Sequence, residues 1–220
     1  MRAFKTEGII LKRRDFGEAD RILTAFTLHR GKISIIAKGV RRITSRRAGN
    51  VELLNRVSMF LYPGKQFLNL TEATSLDTFQ KLKEDLTLST YAYHIIELVD
   101  KITAENQEAP ILYGHLKEVL KRLSENPRQI WIRAFEVKIL SLMGFISFDT
   151  RSVNVTHPGG GLASHLGNLL ENLQNLSWEE IGKMEINEKQ ALELERILRY
   201  HLERVIEGSL KSRQFLKEIK

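Results

Sequence analysis

Cysteine is missing from all 220 residues, which excludes a disulfide framework, a thiol nucleophile and a thiolate metal site, and fits a reducing compartment. Long apolar runs are missing too. None approaches the roughly 18 residues that a bilayer span needs. The apolar stretch nearest the N-terminus, residues 8–11, is too short for a signal-peptide core, so the expected location is the cytoplasm, with no membrane partner. Phosphate-loop spacing does not occur: the triple glycine at residues 159–161 follows no strand and has no Lys-Ser/Thr behind it, and it reads as a flexible loop. There is no His-Glu-x-x-His and no Gly-x-Ser-x-Gly elbow. The six histidines are scattered: His94, His115 and His201 fall in helical stretches, and His157 and His165 flank the glycine loop without a second ligand at metal-site spacing. Glu18 and Asp20 are close carboxylates, but they sit in a turn beside Arg21 and read as ion-pair or turn-capping groups rather than as an acid/base pair. The expectation is a protein that binds rather than catalyses, with no metal and no cofactor.

What is present is a strongly uneven charge. The chain carries +7 overall. Residues 1–76 hold 15 Lys+Arg against 6 Asp+Glu, while residues 77–220 hold 19 against 21, so the excess cations all belong to the first third. A concentration of that kind points to a polyanionic partner. Its densest part is residues 38–47, Lys-Gly-Val-Arg-Arg-Ile-Thr-Ser-Arg-Arg, which has five cations and no carboxylate. Gly39 and Gly49 bracket it and give a loop the φ freedom it needs.

A hydrophobic fraction of 42% excludes a wholly disordered chain. The first 76 residues read as strands. Residues 3–15 open with Phe4 and Gly-Ile-Ile-Leu, and a turn follows at residues 16–20. Residues 21–28 alternate, with Ile22, Thr24, Phe26 and Leu28 on one face and Leu23 and Ala25 on the other. A short loop containing Gly31 makes residues 33–40 the hairpin partner, with Ile33, Ile35 and Ala37 on one face. After the basic loop come residues 51–62, a Tyr-Pro-Gly-Lys turn, and a last strand over 67–74. Phe26 and Phe60, inside apolar runs, are expected in the barrel core. Five short strands with no long helix close as a small barrel; the oligonucleotide-binding (OB) barrel is one solution, and an SH3-like barrel has a similar count.

From residue 77 the period becomes helical. Asp77 is placed to cap a short helix over 78–82. Leu88, Ala92, Ile95, Val99 and Ile102 make one apolar face within 85–103. A helix from Pro110 carries Leu112, Leu116, Val119 and Leu123. The next begins at Pro127, carries Trp131, Phe135, Ile139 and Leu142, and stops at Gly144. Residues 145–165 are polar and glycine-rich and are expected to form a loop. Helices return over 164–173, after a Ser177–Glu180 capping box, over 187–207 with Leu194, Leu198, Leu202 and Val205, and as a short basic helix over 210–219. The expected organisation is therefore α+β: a barrel domain over 1–76 and an all-helical domain over 77–220.

A single strand of nucleic acid needs cations along its phosphates and flat side chains under its bases. The cations available are Lys12, Arg13 and Arg14 at the end of the first strand, Lys38, Arg41, Arg42, Arg46 and Arg47 around the loop, and Arg30 and Lys32. The stacking candidates beside turns are Phe16, Tyr62 and Phe67. No basic recognition helix occurs in this region, so the binding expected is nonspecific and salt-sensitive. A protein-interaction adaptor and an RNA-binding barrel are the alternatives.

Several of these segments are familiar in order. Gly8-Ile9-Ile10-Leu11, Gly17-Glu18-Ala19-Asp20-Arg21-Ile22-Leu23, Phe26-Thr27, Gly31-Lys32-Ile33, and Ala37-Lys38-Gly39-Val40-Arg41-Arg42 with Ser45-Arg46 resemble the N-terminal part of the bacterial DNA repair protein RecO family. Glu72-Ala73, Arg133-Ala134-Phe135-Glu136, Leu140, Gly144-Phe145 and residues 210–216 continue the likeness over nearly the whole chain. The resemblance implies an OB-fold barrel followed by a helical domain, and a nonenzymatic, nucleoid-associated recombination mediator. Such a mediator binds single- and double-stranded DNA, anneals complementary strands, and with RecR helps RecA load on DNA coated by single-strand-binding protein (SSB). It also implies a receptor for the acidic, Phe-ending SSB tail, for which Lys121, Arg122, Arg128 and Arg133 lie near Trp131 and Phe135. One departure is plain: where many members carry four zinc-binding cysteines, residues 147–165 contain none.

Overall fold

The computed structural model describes residues 2–146 and 164–206. Most of the glycine-rich loop and the basic C-terminal helix expected from sequence lie outside the described residues. Five strands come first: β1 (Phe4–Phe16), β2 (Asp20–Thr27), β3 (Gly31–Ala37), β4 (Arg56–Tyr62) and β5 (Leu68–Asp77). They close in the order β1-β2-β3-β5-β4, with β4 returning to β1 and every pairing antiparallel except β3 to β5. This is the OB barrel and not the SH3-like alternative.

One long strand closes the barrel. β1 pairs with β4 over its first half and with β2 from Gly8 onward. The register slips between Ile10 and Lys12, leaving Leu11 as the extra residue of a bulge that sharpens the twist. Strand alternation divides the apolar run between two cores. Ile10 joins Leu23, Ala25, Ile33, Ile35, Val57, Met59 and Leu61 inside the barrel, while Ile9 and Leu11 point outward to the helices. β2 is likewise buried on both faces: Leu23 and Ala25 go inward and Phe26 packs on the helices.

Three expectations about the barrel need correction. The segment before β4 is not strand. Gly49–Val51 forms a single 3-10 turn and Leu54 adopts φ 70°. There the Asn55 amide donates to the carbonyls of Gly49 and Asn50, and the Asn50 side chain accepts from the Ser75 amide, so side chains take the place of a ladder. Phe60 is 37% exposed, because β4 alternates with Val57, Met59 and Leu61 inward. Phe26 is fully buried, but against the helices rather than inside the barrel.

The helices are α1 (Gln80–Glu84), α2 (Leu86–Ile102), α3 (Pro110–Glu125), α4 (Gln129–Leu142), α5 (Ser164–Asn175), α6 (Trp178–Lys183) and α7 (Glu188–Ile206). Asp77 ends β5, and its carboxylate accepts from the Phe79 amide at 2.9 Å ahead of α1. Asp85 caps α2 by accepting from Leu88, Pro110 stands at the start of α3, and the Ser177–Glu180 box opens α6. α4 lies in the middle and buries every residue from Ile130 to Leu140 except Arg133, which is half-buried. Leu142 is exposed, at the point where α4 gives out. Among the described residues no helix is long and apolar enough to cross a membrane.

Barrel and helices share one continuous core. Ile9, Leu11 and Phe26 pack with α2 and α3 residues, and Phe26 meets Tyr113 with ring centroids 6.3 Å apart. The start of β3 is bonded to the segment between α2 and α3. The Asn106 amide donates to the Lys32 carbonyl at 2.8 Å, and Ser34 Oγ donates to Glu105 at 3.0 Å.

Candidate nucleic-acid interface

The basic loop begins where β3 ends and is held by backbone-directed contacts. The Gly39 amide donates to Asp20 Oδ1 at 2.7 Å, with Gly39 at φ +65°, and the Arg41 amide donates to the Ala19 carbonyl at 2.9 Å. Val40 is fully buried in the barrel core and acts as the foot of the loop. At the far side the Arg47 guanidinium donates to two carbonyls, Leu70 at 2.6 Å and Lys38 at 2.8 Å.

These contacts gather three turns. The Arg41 side chain reaches Asp15 at 3.3 Å and the Gly17 carbonyl at 3.3 Å, which brings the β1–β2 turn and Phe16, 47% exposed, against the loop. Arg47 reaches Leu70, which pairs with Leu61 next to the turn carrying Tyr62 and Phe67. Tyr62 is exposed and Phe67 is half-buried.

The ten predicted cations separate into distinct groups. Arg14, Lys38, Arg42 and Arg46 are exposed, and their side chains form no ion pair or hydrogen bond among the described residues. Arg41 is exposed and shared with Asp15. Arg47 is spent on the clasp. Arg13 pairs with Glu52, which also takes Arg21 at 3.1 Å. The Arg21 hydrogen bond holds the Asp15 carboxyl below its ordinary value, against slight desolvation, and Arg41 adds to the effect. The two acids thus neutralise one flank of the patch. Lys12 pairs with Asp100 of α2. Arg30, at the β2–β3 turn, lies over the Phe4 ring at 4.2 Å. Lys32 is corrected as a surface cation: it is buried, donates to the Asp100 carbonyl, and sits 3.7 Å from the Asp100 carboxylate. Alternation along β3 did not reveal this, because the partner comes from a helix 68 residues away.

The helical candidates do not converge as one set. Arg128 and Arg133 line a cleft of about 230 Å³ with Gln129, Ile130, Ile186, Ala191 and Leu194. Arg128 donates to the carbonyls of Gly182 and Met184, and Arg133 pairs with Glu136 at 2.8 Å and Glu195 at 3.2 Å. Burial pushes the Arg133 pKa down, but these carboxylates outweigh it and the net shift is upward. Arg122 is engaged by Glu118 and Glu179 and lies over Trp131, while Lys121 is exposed beside Glu125; neither lines the cleft. Trp131 and Phe135 are buried and give the cleft no open wall. Its apolar lining comes instead from Ile130, Ile186, Ala191 and Leu194, which the spacing of arginines and aromatics did not reveal.

Among the described residues no three His, Asp or Glu side chains gather to hold a metal ion. Comparison with known proteins gives two family models in chain order: "Recombination protein O N terminal" over residues 1–79 and "Recombination protein O C terminal" over residues 83–147. The DNA repair protein RecO of Pelotomaculum thermopropionicum is 30% identical over 98% of this chain and 94% of its own length. That of Moorella thermoacetica is 28% identical over 98% and 91%, and that of Roseiflexus sp. is 29% identical over 100% and 87%.

Proposed function

Because the chain belongs to the recombination protein O (RecO) family of DNA repair proteins, we propose that it acts as a nonenzymatic mediator that binds single- and double-stranded DNA on the barrel and anneals complementary strands. The observation that carries this reading is the loop after β3. Its Lys38, Arg42 and Arg46, with Arg14 on β1, are exposed and have no protein partner among the described residues, and Arg41 and Arg47 tie the loop to Gly17 and Leu70, near exposed Phe16 and Tyr62. A phosphate backbone supplies the missing anions, and bases supply faces for the rings. Cooperation with RecR and loading of RecA on SSB-coated DNA belong to the same proposal. The Arg128–Arg133 cleft is its receptor for the acidic SSB tail, with Ile130, Ile186 and Leu194 facing the terminal aromatic ring.

The test is affinity for a fluorescent single strand as salt is varied. Four neutralised phosphates predict a slope of log K on log salt of about −3, and the double variant Arg42→Ala/Arg46→Ala should flatten it by about 1.4. No binding at low salt overturns the proposal. Strong preference for RNA of matched sequence redirects it to the 2′-hydroxyl-reading alternative.

A further inference from the structure

Ile43 stands at the tip of the basic loop with a relative exposure of 106%, the highest of any large apolar side chain among the described residues. It occupies a place where isoleucine does nothing for the fold. The Ser45 amide donates to the Arg42 carbonyl at 2.9 Å, so Ile43 and Thr44 are the central residues of a tight turn. Such positions favour Pro, Asn, Asp, Ser or Gly, and a β-branched side chain brings neither φ freedom nor a backbone bond. It contributes nothing to either core. Single exposed apolar residues are ordinary on protein surfaces. Two features set this one apart. It is flanked by Arg42 and Arg46, whose guanidinium groups have no protein partner among the described residues, and residues 38–47 contain no carboxylate. Its support is also fixed, through buried Val40, the Gly39–Asp20 bond and the Arg47 clasp.

A ligand that fits this arrangement carries anions on its rim and an apolar slot between them. Stacked nucleic-acid bases between two phosphate chains have that form. We propose that Ile43 is a wedge that enters a base step of duplex DNA and unstacks it, while Arg42 and Arg46 hold the neighbouring phosphates. This rests on the DNA-binding reading above and adds an activity to it, the local opening of paired strands at the loop tip. Apolar side chains entering a step part the bases at a cost that phosphate contacts repay.

The experiment uses the full chain and a duplex with one 2-aminopurine, whose fluorescence rises when it is unstacked. The native protein should brighten the probe about twofold or more at saturation. Ile43→Ala should keep single-strand affinity and salt slope within a factor of about two, since phosphates supply the affinity, yet lose the brightening. Ile43→Leu should retain it. Because Ile43 touches neither core, all variants should melt together with the native chain. Binding without brightening, or equal brightening by Ile43→Ala, overturns the wedge and leaves the DNA interface standing. Absence of any binding to the duplex or to a single strand removes the interface and the wedge together, so the two failures are told apart.

Discussion

His115 accepts a hydrogen bond from the Trp178 indole at 3.0 Å, so its Nδ1 carries no proton in the folded chain. Burial, with the nearby Lys138 charge adding to it, pushes the imidazole down to about 4. The unfolded chain therefore takes up a proton near pH 6.5 that the folded chain refuses until about pH 4. Stability is full above pH 6.5 and falls as the pH drops through that window. With partial exposure discounted, the loss is about 1–2 kcal/mol. Chemical denaturation across pH 4–7 should show a shallower acid slope for His115→Gln than for the native chain. Equal slopes would place the acid sensitivity elsewhere. The role of His115 was not legible in sequence beyond its position on a helix. Its partner lies 63 residues away, and no local pattern reports a contact at that distance.

Among the helices, α4 is the most buried, and yet it carries Arg133, Glu136 and Lys138. Glu136 is fully buried yet satisfied by His94 at 2.7 Å and Arg133 at 2.8 Å. Lys138, whose pKa burial lowers, donates to the carbonyls of Gln174 and Leu176 at the C-terminal end of α5, where the helix dipole favours a cation. Removing one member of such a set leaves the rest unpaired. Glu136→Ala should lose about 3–5 kcal/mol, whereas Ser177→Ala, which removes only one half of the α6 cap, should lose about 1 kcal/mol. Urea unfolding of both variants separates them, and comparable losses would mean that the α4 network is not coupled. The starts of α3 and α6 were legible because Pro110 and Ser177 act on the next turn of chain, whereas α1 and α4 begin at Gln80 and Gln129, two residues beyond the starts read from Asp77 and Pro127. The extra packing of α4 was not, since its periodic stripe of Trp131, Phe135 and Ile139 marks one buried face and its neighbours bury the others.

Across the molecule, β3 connects two places. Its first residues bond to the segment between α2 and α3, and its last residue opens into the basic loop, about 20 Å away at the rise of a strand. Gly31 makes the near end possible. It sits at φ +60°, and a Cβ there would lie 1.8 Å from the Gln107 carbonyl oxygen. Gly31→Ala should therefore cost more than about 3 kcal/mol through strain and clash, and the barrel and helices should melt together because they share one core. Retention of the native melting temperature, or separate transitions, would contradict that. The five strands and the change to helical period near residue 77 were legible because alternation and helical stripes are local. The division of Ile9, Ile10 and Leu11 between two cores follows strand alternation, but the core on the outer face is supplied by helices that the strand's own hydropathy does not register. The sharing of Lys12 and Lys32 with Asp100 depends on the barrel meeting α2.

The clasp of Arg47 on the carbonyls of Leu70 and Lys38 has a consequence for how this surface tolerates change. Both acceptors are main-chain atoms, present whatever residue occupies positions 38 and 70. One planar guanidinium spans them, a geometry that the single ammonium of lysine does not reproduce. The loop tip is thus free to vary its cations and its apolar point through drift or design while its outline stays fixed. Position 47 is where the shape is stored, and the residues that would meet DNA are, for the fold, interchangeable.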